Sequence, residues 1–163
     1  MARSSWDTTW ADVARVVSRR SSCERAQVGA VIVRENRVVS TGYNGPASGY
    51  PAETGLGCRQ WCPRSAGGDL DSSVGYGYTC PSIHAEANAL LHASRRDVDG
   101  ATMYVTHAPC ADCAKLISNS GVTKVVSLRK PEEHRPDPTP YLTDCGIDII
   151  YMEFDFLFFN KEF

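Results

Sequence analysis

No stretch of this 163-residue chain is apolar for the roughly 20 residues that a bilayer crossing needs, and the N-terminus (Met-Ala-Arg-Ser-Ser-Trp) has no apolar secretory core. Those absences exclude a membrane-spanning reading and point to a cytoplasmic protein. An excess of positive charge is missing too: 17 Lys and Arg against 19 Asp and Glu leave a net charge of −2. Polyanion-binding domains usually carry a basic patch, so neither polymeric nucleic acid nor a membrane is an expected partner. Internal repeats and inter-domain linkers are absent, and 1–163 reads as one domain long enough to bury a substantial core. Cysteine, by contrast, is plentiful. Seven cysteines in a reducing compartment are better read as metal ligands than as disulfides.

Two short stretches concentrate the chemistry, His84-Ala85-Glu86 and Pro109-Cys110-Ala111-Asp112-Cys113. They offer one imidazole, two thiols and a carboxylate that need not bind metal. Three N/S ligands with an open fourth position are how a protein holds catalytic zinc, whose bound water then has a pKa near neutrality. Glu86 is placed to move protons between that water and a substrate. Residues two apart on a helix point to nearly opposite sides, so His84 and Glu86 converge only if His84 opens a helix and Glu86 lies in its first turn. The flanks agree: Cys80-Pro81-Ser82 reads as a loop, and 85–96 is rich in Ala and Leu. Pro109 likewise precedes a helical run, 111–119, placing Cys110 and Cys113 at a helix N-terminus that favours thiolates. H-x-E followed by P-C-x-x-C is the pattern of zinc deaminases that attack C4 of cytosine or C6 of adenine. The alternatives, a C-x-x-C redox pair or a closed structural zinc site, leave Glu86 and Pro109 without a task.

In chain order, Trp6, Trp10, Val13 and Val17 recur at helical spacing after an N-cap at Ser4 or Ser5, and this stripe is read as core. Two β runs follow, 27–34 and 37–43, joined at Glu35-Asn36; the first is almost continuously apolar, as a strand covered on both faces should be. Residues 44–80 form a long Gly/Pro/Ser-rich insertion carrying Cys58, Cys62 and Cys80. So long a loop is rare unless function or a metal orders it. Then come the His84 helix, a strand at 102–106, the Cys110 helix, a strand at 124–128, a short helix near 141–145 and a strand at 147–154. This order implies an α/β layer fold with crossover helices. The apolar end, including Phe156, Leu157, Phe158 and Phe159, suits packing on the core or a neighbouring subunit.

Beyond the zinc pattern, Val28-Gly29-Ala30-Val31-Ile32, Thr41-Gly42-Tyr43-Asn44-Gly45, 83–89, 101–106 and 109–115 resemble the deoxycytidylate (dCMP) deaminases. The resemblance covers most of 23–126 in the right order and is weak in the insertion and beyond Ser127. It implies the three-layer cytidine-deaminase fold, a five-stranded mixed sheet with helices on both faces, and hydrolysis of dCMP to dUMP. By the same resemblance His84, Cys110 and Cys113 are zinc ligands and Glu86 is the proton shuttle. Asn44, Ala85 and Pro109 are substrate-binding. Gly42, Tyr43, Gly45 and Arg95, the last on the helix that starts at the zinc, belong to a site for dCTP or dTTP with Mg2+. The resemblance also implies a homohexamer. A second, structural zinc is expected on Cys23, Cys58, Cys62 and Cys80, with buried thiols as the alternative; Cys145 is read as structural.

One family feature is lacking. After the fourth strand, where an aromatic residue often closes the base pocket, the chain runs Ser127-Leu128-Arg129-Lys130-Pro131-Glu132-Glu133-His134-Arg135. Arg129, Lys130 and Arg135 are candidates to reach a 5′-phosphate, a solvated loop being the plainer meaning. A 5-methyl or 5-hydroxymethyl dCMP is therefore an alternative substrate, as is another nucleoside, a base, or adenosine in tRNA. From a different class, a zinc-stabilised binding module without chemistry is the remaining alternative. His92 reads as a half-buried helix residue, and His107 as a neighbour of the pocket.

Overall fold

The computed structural model describes residues 3–23, 25–49, 80–133 and 135–152. Helix α1 (Trp6–Ser18) is opened by Ser5, whose hydroxyl accepts from the Thr8 N–H at 3.1 Å. Strands β1 (Gly29–Arg34) and β2 (Arg37–Tyr43) form an antiparallel hairpin in which Gly29 pairs with Tyr43. Its two turn residues, Glu35 and Asn36, both have positive φ (50° and 56°), the conformation whose twist matches a two-residue hairpin. The pair β3 (Gly45–Pro46) and β4 (Ser82–Ile83) brackets the insertion. After it come α2 (Ala85–Leu91), α3 (Arg95–Val98), β5 (Thr102–Val105), α4 (Ala111–Ser118), β6 (Lys124–Ser127), α5 (Thr139–Asp144) and β7 (Asp148–Tyr151).

The main sheet has five strands in the order β2-β1-β5-β6-β7. β1 meets both neighbours antiparallel, while β5, β6 and β7 run parallel, so the sheet is mixed as expected. The period-2 alternation of strands splits the core in two. Ala30, Ile32, Met103, Val105 and Val125 face α2, α4 and α5, packing with Ala85, Ala89, Ala114, Ile117 and Leu142. Val31, Val33, Tyr104 and Val126 face α1, meeting Ala14 and the partly buried Trp10, Val13 and Val17. Helices therefore cover both faces, giving the three layers read from the sequence.

Two glycines let helix backbones lie directly on strands. A Cβ at Gly29 would stand 2.6 Å from Ser18 N on α1, and one at Gly42 would stand 3.0 Å from Ala89 Cα while colliding with the Ala85 carbonyl oxygen. The Ser40 hydroxyl donates to the Ala89 carbonyl and ties α2 to β2 again. On the opposite face, the Tyr104 hydroxyl donates to Asp7 Oδ1 at 2.6 Å and Lys124 Nζ lies 3.3 Å from Asp7 Oδ2, fastening α1 to β5 and β6.

The structure corrects four expectations. Trp6 is 56% exposed and stacks on Trp10 at 5.4 Å instead of entering the core, because α1 meets the sheet through Ala14 and its neighbours. The run 85–96 is not one helix: α2 stops at Leu91, and Ser94 caps the separate α3 by accepting from Asp97 N at 3.2 Å. Arg95 therefore does not lie on the helix that starts at His84. Ser82 belongs to a short strand rather than to a loop. Cys58, Cys62 and the apolar end from 153 onward lie outside the described residues.

Candidate active site

The site is assembled where two helices begin. His84 is the N-cap of α2 in extended conformation and spends no side-chain bond on capping, so its ring is available for other work. Cys110 is the N-cap of α4, its Sγ accepting from the Cys113 N–H at 3.5 Å. The helix start favours negative sulfur. The two helices pack so that His84 Nδ1 lies 3.3 Å from Cys113 Sγ and 3.4 Å from Cys110 Sγ. All three ligand atoms fall within 4.8 Å of one another, a grouping that stands alone among the described residues. For ordinary Zn–N and Zn–S bonds, the edges of a zinc tetrahedron are about 3.5–3.8 Å. The two N–S distances lie near that edge length and the two sulfurs within 4.8 Å of each other, so the group fits zinc in its donor chemistry, with three ligands and not four.

Glu86, in the first turn of α2, is 4% exposed. Burial raises its carboxyl above the usual range, opposed by its own N–H and by the charge of His84. Cys110 is held down to about 4, chiefly by the Cys113 thiol that donates to it, then by His84 and the Cys113 N–H. The hydrogen bond to Cys110 also raises His84.

Of these groups His84, Glu86 and Cys110 form the floor of a cleft together with Ala85; Val28, Asn44, His107 and Ala108 add walls, and Glu132 and Arg135 stand at its exposed rim. Asn44 is 7% exposed, and both ends of its amide are engaged. Oδ1 accepts from Val28 N at 2.8 Å and Nδ2 donates to Ala26 O at 2.9 Å, which fixes the wall beside the floor. Pro109 is fully buried behind the wall that Ala108 presents. His107 is pushed down to about 4 by burial and by Arg129, so it is neutral. Its Nε2 lies 3.1 Å from Arg129 Nη1.

The remaining sequence candidates do not line this cleft. Gly42 is buried beneath α2, Tyr43 is exposed, and Gly45 lies in β3. Arg95 is exposed on α3 and donates to the Asn119 carbonyl at 3.2 Å. Cys23 and Cys80 are half-buried free thiols. Glu132, Ala26 and Val28 were not marked by the sequence; a rim carboxylate in a charged run has no local pattern to distinguish it from a solvated one.

The family model for the cytidine and deoxycytidylate deaminase zinc-binding region matches residues 4–129. The chain belongs to this family. Within it, the deaminase is 45% identical to the deoxycytidylate deaminase of Mycobacterium phage D29 over 77% of this chain and 96% of that one. It is 36% identical to the deoxycytidylate deaminase of Enterobacteria phage T4 over 87% of each. The dCMP deaminase of cyanophage S-TIM5, solved with dCMP and dUMP, superposes with a TM-score of 0.70 at 29% identity, covering 93% of this chain and all (100%) of that one. The three-layer architecture is thus the cytidine-deaminase fold.

Proposed function

We propose that this deaminase hydrolyses dCMP to dUMP and ammonia, with zinc held by His84, Cys110 and Cys113. The observation that carries the reading is Glu86, a buried carboxyl of raised pKa beside a three-ligand zinc site on the floor of a cleft. Relatives named deoxycytidylate deaminases and the cyanophage enzyme that binds dCMP and dUMP support the substrate.

When bound, zinc supplies the Lewis acid that brings a water within reach of deprotonation near neutral pH. Glu86 takes a proton from the attacking water and gives one to N3 of the cytosine. Once the water oxygen is bonded to C4, Glu86 takes the remaining proton from that hydroxyl and gives it to the amino group, so that the C4–N bond breaks, a C4 carbonyl remains and ammonia leaves. A carboxyl raised by burial does both jobs better than an ordinary one, because its carboxylate is the stronger base when it takes the proton from water. Burial also keeps bulk water off the base. Ala85 lies under the base position, and Asn44, fixed by its two backbone bonds, holds the 26–28 wall in place.

Further parts of the reading rest on the family likeness. Gly42, Tyr43, Gly45 and Arg95 form a site for dCTP or dTTP with Mg2+. Cys23, Cys58, Cys62 and Cys80 hold a second zinc, and Pro109 sets the base pocket. Exposed Leu91, Leu116 and Tyr141 support assembly into a homo-oligomer, a hexamer by likeness. A cytoplasmic setting is part of the same family reading; no helix among the described residues is long and apolar enough to cross a membrane.

The test is to incubate the purified protein with dCMP, with and without dCTP and magnesium, and to quantify dUMP. Turnover that rises with dCTP supports substrate and effector together. Turnover indifferent to dCTP keeps the enzyme and removes the regulation. Absence of dUMP in both tubes overturns the dCMP reading, and 5-methyl and 5-hydroxymethyl dCMP are then assayed in the same way.

A further inference from the structure

A base seated with its amino group at Glu86 must direct its sugar and 5′ substituent away from the floor, because His84, Ala85, Glu86 and Cys110 close that end. What it meets at the rim comes from the segment after β6, where the chain departs from its family. Arg135 stands there in a tight turn: its N–H donates to the Glu132 carbonyl at 2.8 Å, and its Nε lies 3.3 Å from Glu132 Oε2. That ion pair uses the Nε edge. Among the described residues, neither Nη group of Arg135 is hydrogen-bonded.

His107 forms one wall of the cleft and also borders a small recess lined by Arg15, Gln27 and Arg129. Arg129 can only donate, so its 3.1 Å contact makes His107 Nε2 the acceptor and leaves the ring proton on Nδ1. That Nδ1 lies 2.9 Å from Thr106 Oγ1, which also accepts from Gly29 N at 3.1 Å. The chain Arg129–His107–Thr106–Gly29 is therefore anchored in β1 and aims a guanidinium from a fixed point. Burial, reinforced by the Arg129 charge, keeps His107 neutral, so it positions Arg129 without adding charge. Arg135 stands on the rim itself beside Glu132, and Arg129 stands behind the His107 wall in the adjoining recess.

We infer that Arg135 and the His107-held Arg129 form a clamp for the 5′-phosphate of the substrate, an inference that rests on the deoxynucleotide reading above. Arginine suits the task because its planar fork matches phosphate oxygens in pairs. His107 is a positioning residue, and Glu132 orients Arg135. The clamp makes this enzyme a nucleotide deaminase rather than a nucleoside deaminase.

The experiment compares kcat/KM for dCMP with that for deoxycytidine, which has the same base and sugar and no phosphate. Arg135→Gln and Arg129→Gln are each expected to lower the dCMP-to-deoxycytidine ratio by roughly 10- to 100-fold. Arg135→Lys recovers part of that loss, since it restores charge without the fork. His107→Phe lowers the ratio too, and combined with Arg129→Gln it costs no more than Arg129→Gln alone, whereas a merely structural role would add a separate loss. Ratios within about twofold of wild type in both arginine variants, or equal losses on both substrates, overturn the clamp. Should the wild type fail to turn dCMP over, the functional reading falls on its own. Titration with dUMP against deoxyuridine then decides the clamp: a preference for dUMP lost in Arg135→Gln supports it, and a preference absent or unchanged overturns it.

Discussion

Replacing Gly42 by alanine adds one methyl group at a position that does not line the cleft, yet it should damage catalysis, because Gly42 is the surface on which α2 rests. The new Cβ would collide with the Ala85 carbonyl oxygen and stand 3.0 Å from Ala89 Cα. Ordinary carbon contacts begin at about 3.5–4.0 Å, so the helix must retreat by roughly 0.5–1 Å. Overpacking of this kind costs about 1–3 kcal/mol, which for a chain of this size lowers Tm by roughly 3–10 °C. The helix that moves carries His84 and Glu86, and misplacement by about 1 Å can cost on the order of 100-fold in rate. Gly29→Ala is the control. There the Cβ would stand 2.6 Å from Ser18 N and 3.0 Å from Ser18 Cα, displacing α1 on the face of the sheet opposite α2, which carries His84 and Glu86. The assay is dUMP formation per zinc-loaded, folded molecule without effector nucleotides, beside thermal unfolding. Both variants should lose comparable stability, and only Gly42→Ala should lose kcat. If Gly42→Ala keeps full kcat, or Gly29→Ala loses as much, the argument that α2 placement limits catalysis is refuted.

Three further outcomes follow from named contacts. Asp7→Asn removes a charge whose carboxyl is held below its ordinary value, first by the Tyr104 hydroxyl and then by Lys124. A depressed carboxyl stabilises above its unfolded pKa and loses that contribution as pH falls through the folded value. Asp7→Asn should therefore cost about 1 kcal/mol at pH 7, discounted for its partial exposure, and the gap from wild type should close below roughly pH 4; a gap constant with pH refutes the charge argument. Cys113→Ser should reduce catalytic zinc and abolish turnover, and metal analysis that finds zinc retained at full occupancy contradicts the ligand set. Metal analysis of the wild type should find two zincs per chain, falling to one in Cys80→Ser, whereas one zinc in the wild type refutes the second site.

The grouping of His84, Glu86, Cys110 and Cys113 was legible in the sequence because its geometry is local. His84 and Glu86 are two residues apart and Cys110 and Cys113 three apart, so placing each pair at a helix start fixes where the side chains point. The strands were legible because β1 is covered on both faces and reads as an apolar run. The Trp6–Trp10 stripe was misleading for a physical reason: helical periodicity marks a face but does not say how much of it the sheet covers. The break between α2 and α3 did have a local signal, since Ser94 with Asp97 three residues on is an N-cap pair in which the Ser94 hydroxyl also donates to Asp97 Oδ2 at 2.6 Å. The Arg129–His107 contact joins residues 22 apart in the chain, and no local pattern encodes it. Arg135 could be marked as a candidate by charge, but only the fold places it on the cleft with Glu86.

The most direct test of the account replaces Glu86 by glutamine and measures zinc content and dUMP formation on the same sample. Glutamine keeps the size of the side chain and makes no change to His84, Cys110 or Cys113, but it cannot shuttle protons. The account predicts wild-type zinc in the catalytic site, dCMP still bound, and turnover reduced at least about 100-fold. A Glu86→Gln enzyme that forms dUMP at a rate near wild type would contradict it, because the proton path would then run through some other group.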